Sequence, residues 1–516
     1  MSTKSYDWIA HHGRTRPDKV AMIDLRSGRH VTYAAMDRRV DQLCGLLHGE
    51  LGVAGGERVA VYSHNDVNAF EVQFACWRLG AVFAPLNWRL AIPELDFIIG
   101  DCSPRVMFHE PEFAEQAAAI CGGAGVSHRV SWGGPSEGAV DYEDALASVH
   151  GGFPPVETSH DTTLTVMYTS GTTGRPKGAI ITQGMTLWNA VNMSEAFSVS
   201  SETVNMVALP MFHTGGLNVF ANPAFHLGGT NVVMHAFDPD DGLRVLSDPA
   251  LGITHFLGVP ANWLFMSQAP SFAEVSFPSL IAAGVGGSPT PAELIKVWLD
   301  KGVPLQQAFG MTETSPLVIL LSREDAARKI GSAGLPAMHT ECRIVDELGA
   351  DVDRGAVGEL WVRGPNVTPG YWNRPEATAD SFTGEWLHTG DAARQDEEGY
   401  YYIVDRWKDM YISGGENVYP AEVENVLYDL AGIAEAAVIG VPDDRWVEVG
   451  KAFVVCRPGA TVTEPDIMRH CAERLARFKV PRSVVFLDEL PHNATGKIQK
   501  HELRARYGTA FTPASG

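Results

Sequence analysis

The sequence predicts an α/β fold, and three observations carry that reading. Short β-branched, apolar runs alternate with longer helical patterns over most of the first 400 residues. Gly, Pro, Asn and Asp punctuate the junctions, as α/β connections require. The chain has 516 residues, 45% hydrophobic and 20% charged, enough for several domains with large buried cores. Taken in order, 57–61 (ERVAV) reads as a strand and 67–79 as an amphipathic helix. Residues 164–167 and 179–181 read as strands flanking a Gly/Thr-rich loop, 230–237 as a strand and 239–246 as a helix. Residues 280–283 form another apolar strand, Pro291 opens the next helix, and 303–309 is again strand-like. The texture changes at 339–364, where HTECRIVD, a Gly/Asp-rich turn and GELWVRG suggest hairpins and a small barrel. It changes again after the YYYIVDR run at 400–406. A compact β/α set follows, with helices at 421–430 and 466–478 and strands at 436–441, 451–457 and 484–487. The reading is therefore two domains, 1–405 and 406–516.

The 62 acidic and 40 basic side chains give a formal net charge of −22, which disfavours nucleic acid and anionic membrane as partners. Small anions are not excluded, because a few local donors and cations suffice to hold them. The seven cysteines are scattered and form no CxxC pair, so neither a disulfide framework nor a zinc site is indicated. No signal-peptide pattern and no spanning apolar run is present, and the expected location is the cytoplasm.

The most informative segment is Tyr168-Thr-Ser-Gly-Thr-Thr-Gly-Arg-Pro-Lys177-Gly178. By composition it is a phosphate cradle. Gly171, Gly174 and Gly178 admit an anion to the backbone, Thr169, Ser170, Thr172 and Thr173 offer hydroxyls, and Lys177 offers charge. It is not a Walker A loop, because Pro176 stands at the second glycine and Gly178 at the Ser/Thr.

This segment resembles the first signature of the adenylate-forming superfamily of acyl-CoA synthetases, luciferases and peptide-synthetase adenylation domains. Six further stretches match in order: LPMFHTGG (209–216), GVGGS (284–288), QAFGMTET (307–314), HTGD (388–391), DRWKDMYISGGENVYP (405–420) and PHNATGKI (491–498). The resemblance implies a large N-terminal domain of two stacked αβ subdomains plus a small β-barrel, and a small mobile C-terminal α+β domain. It implies attack of a carboxylate on the α-phosphate of ATP, giving an acyl-adenylate and pyrophosphate, then thiolysis by coenzyme A. Phosphoryl chemistry of this kind needs the developing charge neutralised, chiefly by Mg²⁺ and lysine.

Residue by residue, the resemblance makes Glu313 the Mg²⁺ ligand, Thr312 a phosphate contact and Lys497 the cation reaching substrate carboxylate and α-phosphate. Residues 169–174 and Lys177 cradle the phosphates. Gly286, Gly287 and Ser288 bound the adenine, Gly310 and Met311 also bind ATP, and Asp391 and Arg406 hold the ribose. His213 lines an acyl pocket together with Gly216, Leu217, Phe220, Gly284, Ser315, Pro316 and Leu317. Lys408 is the implied hinge, about which rotation brings Ser413, Gly414 and Gly415 to the CoA path.

The expected activity is an AMP-forming carboxylate–CoA ligase acting on a small-molecule acid, with medium- or long-chain fatty acids first and aryl or hydroxycinnamic acids close behind. An enzyme loading a carrier protein is the alternative of another class. Phe212-His213 lacks the Asp that amino-acid-activating relatives carry, and the absence of Arg or Lys among the lining residues disfavours dicarboxylates. Val447 stands where relatives place glycine; a left-handed backbone there would strain a β-branched residue. The oligomeric state stays open, a homodimer being the commonest arrangement.

Overall fold

A computed structural model describes residues 3–149, 153–154, 156–169, 176–288, 290–413, 416–443, 445–492 and 498–508, with only the backbone of 406, 408, 416 and 417. The chain divides into two compact units, one of residues 1–342 and 362–387 and the other of residues 343–361 and 388–516.

The first unit is built on two sheets. One has seven strands among the described residues, in the order Val140–Asp141, His128–Ser131, Val106–His109, Arg58–Tyr62, Val82–Pro85, Thr163–Thr169, Lys177–Thr182. Its neighbours run parallel except for the last hairpin. The other has nine: Leu335–Pro336, Leu317–Leu320, Leu305–Gly310, Ala282–Gly286, His255–Gly258, Val204–Val207, Thr230–Val233, Val20–Asp24 and His30–Thr32. Its central strands are parallel and its ends antiparallel.

The helix Val67–Leu79 touches strands of both sheets and so forms the shared middle layer. Its bounds are those read from sequence, with Asp66 capping the N-terminus and Gly80, at φ 64°, closing the C-terminus. The amphipathic reading is corrected, for its polar faces are buried too. Glu71 is fully enclosed and answered by Arg39 at 2.7 Å and the Tyr142 hydroxyl at 2.7 Å.

A third sheet orders Glu341–Val345, Gly358–Arg363, Trp386–Gln395 and Phe382–Thr383, with Tyr401–Arg406 paired to Trp386–Gln395. The division between units runs through it. In the second unit, Val447–Cys456 lies between Tyr411–Ser413 and Ile433–Asp443, with Ser483–Phe486 paired to it in parallel. The helices Pro420–Tyr428 and Glu464–Ala472 supply apolar residues to its core; the second stops short of the 478 expected from sequence. No helix among the described residues is long and apolar enough to cross a membrane. All seven cysteines are free.

Candidate active site

Three motifs of the first unit leave the C-terminal ends of parallel strands in the nine-stranded sheet, the place where open α/β sheets gather ligands. Leu209–Gly216 follows Val204–Val207, Gly287 and Ser288 follow Ala282–Gly286, and Met311–Glu313 follows Leu305–Gly310. Gly310 has to be glycine, since a Cβ there would lie 1.9 Å from the Pro316 carbonyl oxygen. That close approach lets the Met311 N–H donate to Pro316 O at 3.1 Å. Thr312–Thr314 then forms one tight turn, and Thr314 Oγ1 accepts a second bond from the Met311 N–H at 3.1 Å.

Glu313 is only 7% exposed. The Thr368 N–H donates to its carbonyl at 2.7 Å, and the Tyr371 hydroxyl donates to its Oε1 at 2.8 Å. Burial and the neighbouring Glu313 push the Tyr371 phenol far up, so it stays a donor. Lys177 pairs with Thr169 across the hairpin and puts its Nζ 5.4 Å from the Tyr371 ring. Lys177 and Glu313 thus flank one tyrosine that sequence reasoning missed. Its only signal was a Pro-Gly-Tyr turn outside the quoted motifs. Ser170, Gly171, Thr172, Thr173 and Gly174 lie outside the described residues.

Phe220, Leu317, Phe197 and Met193 pack as one apolar cluster, joined by Leu257. A Cβ on Gly284 would come within 2.9 Å of Leu257 and 3.6 Å of Phe220. Gly216 and Phe220 line one narrow cleft with Gly215 and Leu257. Leu217 instead joins the main core with Phe225 and Met211.

A chain of buried amides fixes these pieces. Gln73 donates to Asn222, Asn222 to Asn218 at 2.6 Å, and Asn218 to the Ser315 hydroxyl at 3.2 Å, while Asn189 Oδ1 accepts the Leu317 N–H. Asn218 and Asn222 stand four residues apart in an apolar run, a helical spacing that could have flagged them.

Burial, with Arg89 adding to it, holds the His213 imidazole down at about 4, so it is neutral near pH 7. Its Nε2 is buried without a hydrogen-bond partner. Arg89 stacks 4.3 Å over Trp88 and lies 5.7 Å from the Phe212 ring centroid. It comes from a different strand end and carries no sequence signal. A cation therefore stands beside the Phe212-His213 pair.

In the second unit, Asp391 is 5% exposed and is the backbone register partner of Arg406. The Asp391 N–H donates to Thr389 Oγ1 at 3.1 Å, and the Gly390 N–H to Glu359 at 3.2 Å. Lys408 falls in the turn Trp407–Asp409 directly after that strand. Ser413 is buried and pairs with both Glu416 and Val447. Gly414, Gly415 and Lys497 lie outside the described residues. Val447 has φ 71°, the left-handed conformation that strains a β-branched residue.

The family of AMP-binding enzymes matches residues 9–372, and the AMP-binding enzyme C-terminal domain matches 422–497. The chain belongs to this family. It is 42% identical to a feruloyl-CoA synthase of Amycolatopsis sp, over 97% of this chain and 98% of that one. It is 40% identical to an indoleacetate–CoA ligase of Aromatoleum aromaticum, over 96% and 97%. Among solved structures, the O-succinylbenzoate coenzyme A synthetase of Bacillus subtilis with ATP and a magnesium ion matches at TM-score 0.87 and 30% identity, covering 97% and 100%. The chain is an adenylate-forming, AMP-producing acid–thiol ligase of the acyl-CoA synthetase type.

Proposed function

We propose that this ligase activates an aryl or hydroxycinnamic acid with ATP and Mg²⁺ and transfers it to coenzyme A. The observation that carries the reading is the 42% identity to a feruloyl-CoA synthase along nearly the full length of both chains. It reverses the order expected from sequence, in which fatty acids stood first. The Phe220 ring, beside Gly284 and on the same cleft as Gly216, offers an aromatic face for a ring acid.

Glu313 fits Mg²⁺, offering a buried, hard oxygen ligand whose orientation Tyr371 fixes. The ion supplies neutralisation of phosphate charge. Thr312 and residues 169–177 bind phosphate, with Lys177 as the cation, and Lys497 joins substrate carboxylate to α-phosphate. Gly286, Gly287 and Ser288 bound the adenine, Gly310 and Met311 also bind ATP, and Asp391 and Arg406 hold the ribose. Neutral His213 borders the acyl carbonyl and takes no part as an acid. Lys408 is the pivot between half-reactions, and Ser413 to Gly415 border the pantetheine path. The residues of 1–405 bind ATP and acid, and those of 406–516 carry Lys497.

The apolar set of Phe220, Leu257 and Leu317 favours a fatty acid as the second reading. Comparison of kcat/KM for ferulate, 4-coumarate, benzoate, octanoate, palmitate and malonate separates the two. Ring acids should lead by at least ~10-fold, the worth of about 1.4 kcal/mol. A chain-length optimum among the fatty acids would displace the aryl reading, and a lead for malonate would give Arg89 a second carboxylate to hold.

A further inference from the structure

Four potential metal ligands converge outside the catalytic motifs, all at strand ends of the first unit. His64 follows Arg58–Tyr62, Glu110 and Glu112 follow the adjacent parallel strand Val106–His109, and His235 follows Thr230–Val233 in the other sheet. Their donor atoms all lie within 4.8 Å of one another. His64 Nδ1 is 3.3 Å from Glu110 Oε2 and 3.1 Å from Glu112 Oε1, and His235 Nε2 is 3.7 Å from Glu110 Oε1. A tetrahedron built on metal–ligand bonds of ~2.05 Å has edges of about 3.3 Å; the two His64 contacts already match it, and the remaining pairs, all within 4.8 Å, draw in to surround one ion.

The outer contacts agree. His235 Nδ1 faces the Asn65 carbonyl at 3.2 Å, which can only accept, so Nδ1 carries the proton and Nε2 offers its lone pair to the cluster. Glu110 is 1% exposed, and His64 packs 4.2 Å from the Trp88 ring, so part of the cluster is enclosed while the half-exposed Glu112 leaves a way in.

We propose that His64, Glu110, Glu112 and His235 form a four-coordinate site for a divalent transition metal of the zinc class. Two imidazoles and two carboxylates suit such an ion in donor type and in charge. The ion joins the two sheets of the first unit. It also stiffens the His64-Asn65 loop, in which Asn65 holds the Leu209 and Met234 carbonyls and the Met211 N–H.

The competing cation is Arg26, which donates to Glu110 Oε1 at 2.6 Å and lies 3.3 Å from His235 Nε2. Its side chain is 49% exposed, so it can swing into water when an ion enters. The cluster joins residues 171 positions apart (235 − 64), so no ligand spacing in the sequence announces it.

The test uses full-length protein stripped with chelator and then given Zn²⁺ alone, without ATP or CoA. Equilibrium dialysis should find a single tight equivalent, with a Tm that rises with Zn²⁺. Co²⁺ should give the intense visible bands of a tetrahedral site without a thiolate charge-transfer band. His235→Ala and Glu112→Gln should each weaken binding at least ~10-fold, and Arg26→Gln should tighten it. Glu112 is a surface residue, so Glu112→Gln tests the site without threatening the fold. No bound equivalent, affinity unchanged in Glu112→Gln and His235→Ala, or an octahedral cobalt spectrum would each overturn the proposal.

Discussion

Glu313 and Tyr371 carry the most weight at the scale of single residues. Glu313→Gln keeps the shape and the Tyr371 contact but removes the charge that an ion needs, so acid-dependent exchange of pyrophosphate into ATP should fall by ~100-fold or more. Tyr371→Phe leaves the charge and frees its orientation. It should raise the Mg²⁺ concentration needed for half-maximal rate more than it lowers the rate at saturation, a split that simple loss of packing does not produce. Val447 is a different case. A β-branched residue at φ 71° costs roughly 1–2 kcal/mol, and glycine recovers that less its greater unfolded-state freedom. Val447→Gly should therefore stabilise the second unit by about 0.5–1 kcal/mol in urea titration. The strain was readable in sequence because Val447 departs from a glycine pattern. Tyr371 and Arg89 were not, since their meaning comes from neighbours distant in the sequence.

Among elements, the C-terminal helix Lys500–Tyr507 is anchored to the second unit by charge. Lys500 meets Glu424 at 2.8 Å and Arg504 meets Asp409 at 2.9 Å. Burial opposes the charge on both Lys500 and Glu424. Burial leaves the Glu424 carboxyl raised, while the Glu424 and Asp405 carboxylates more than reverse its effect on Lys500, which stays protonated. Lys500→Met leaves Glu424 enclosed without its cation and should cost about 3–5 kcal/mol of second-unit stability. Loss of protease resistance confined to that unit would be the sign. Sequence periodicity located the strand before Glu313 and the helix Val67–Leu79 well, because both end on strong cap or turn chemistry. It misjudged the faces of Val67–Leu79. Its enclosure by two sheets, with Glu71 paired inside, is a tertiary fact that an amphipathic pattern does not encode.

For the whole molecule, three buried histidines contribute to the loss of stability in acid. Burial holds His213, His226 and His255 at about 4, against 6.5 for an unperturbed imidazole. Between those values the unfolded chain binds more protons than the folded one, so stability rises with pH. Their contribution is complete above about 6.5 and is lost as the pH falls through about 4. Urea midpoints should decline steadily across that window, and His226→Gln should flatten the decline. The family, the architecture and most of the reaction were legible from seven ordered motifs. The acid was not, because Phe220, Gly284 and Leu257, which meet in the fold, come from segments far apart in the sequence. One enzyme performs two half-reactions on an aryl acid in the proposed function. The most direct measurement is a single-turnover mass balance with ferulate, ATP, Mg²⁺ and CoA, following pyrophosphate, AMP and thioester together. Pyrophosphate release should need the acid but not CoA, followed by AMP and feruloyl-CoA in equal amounts. Phosphate and ADP in place of pyrophosphate and AMP, or AMP without thioester for every acid tried, would contradict that function.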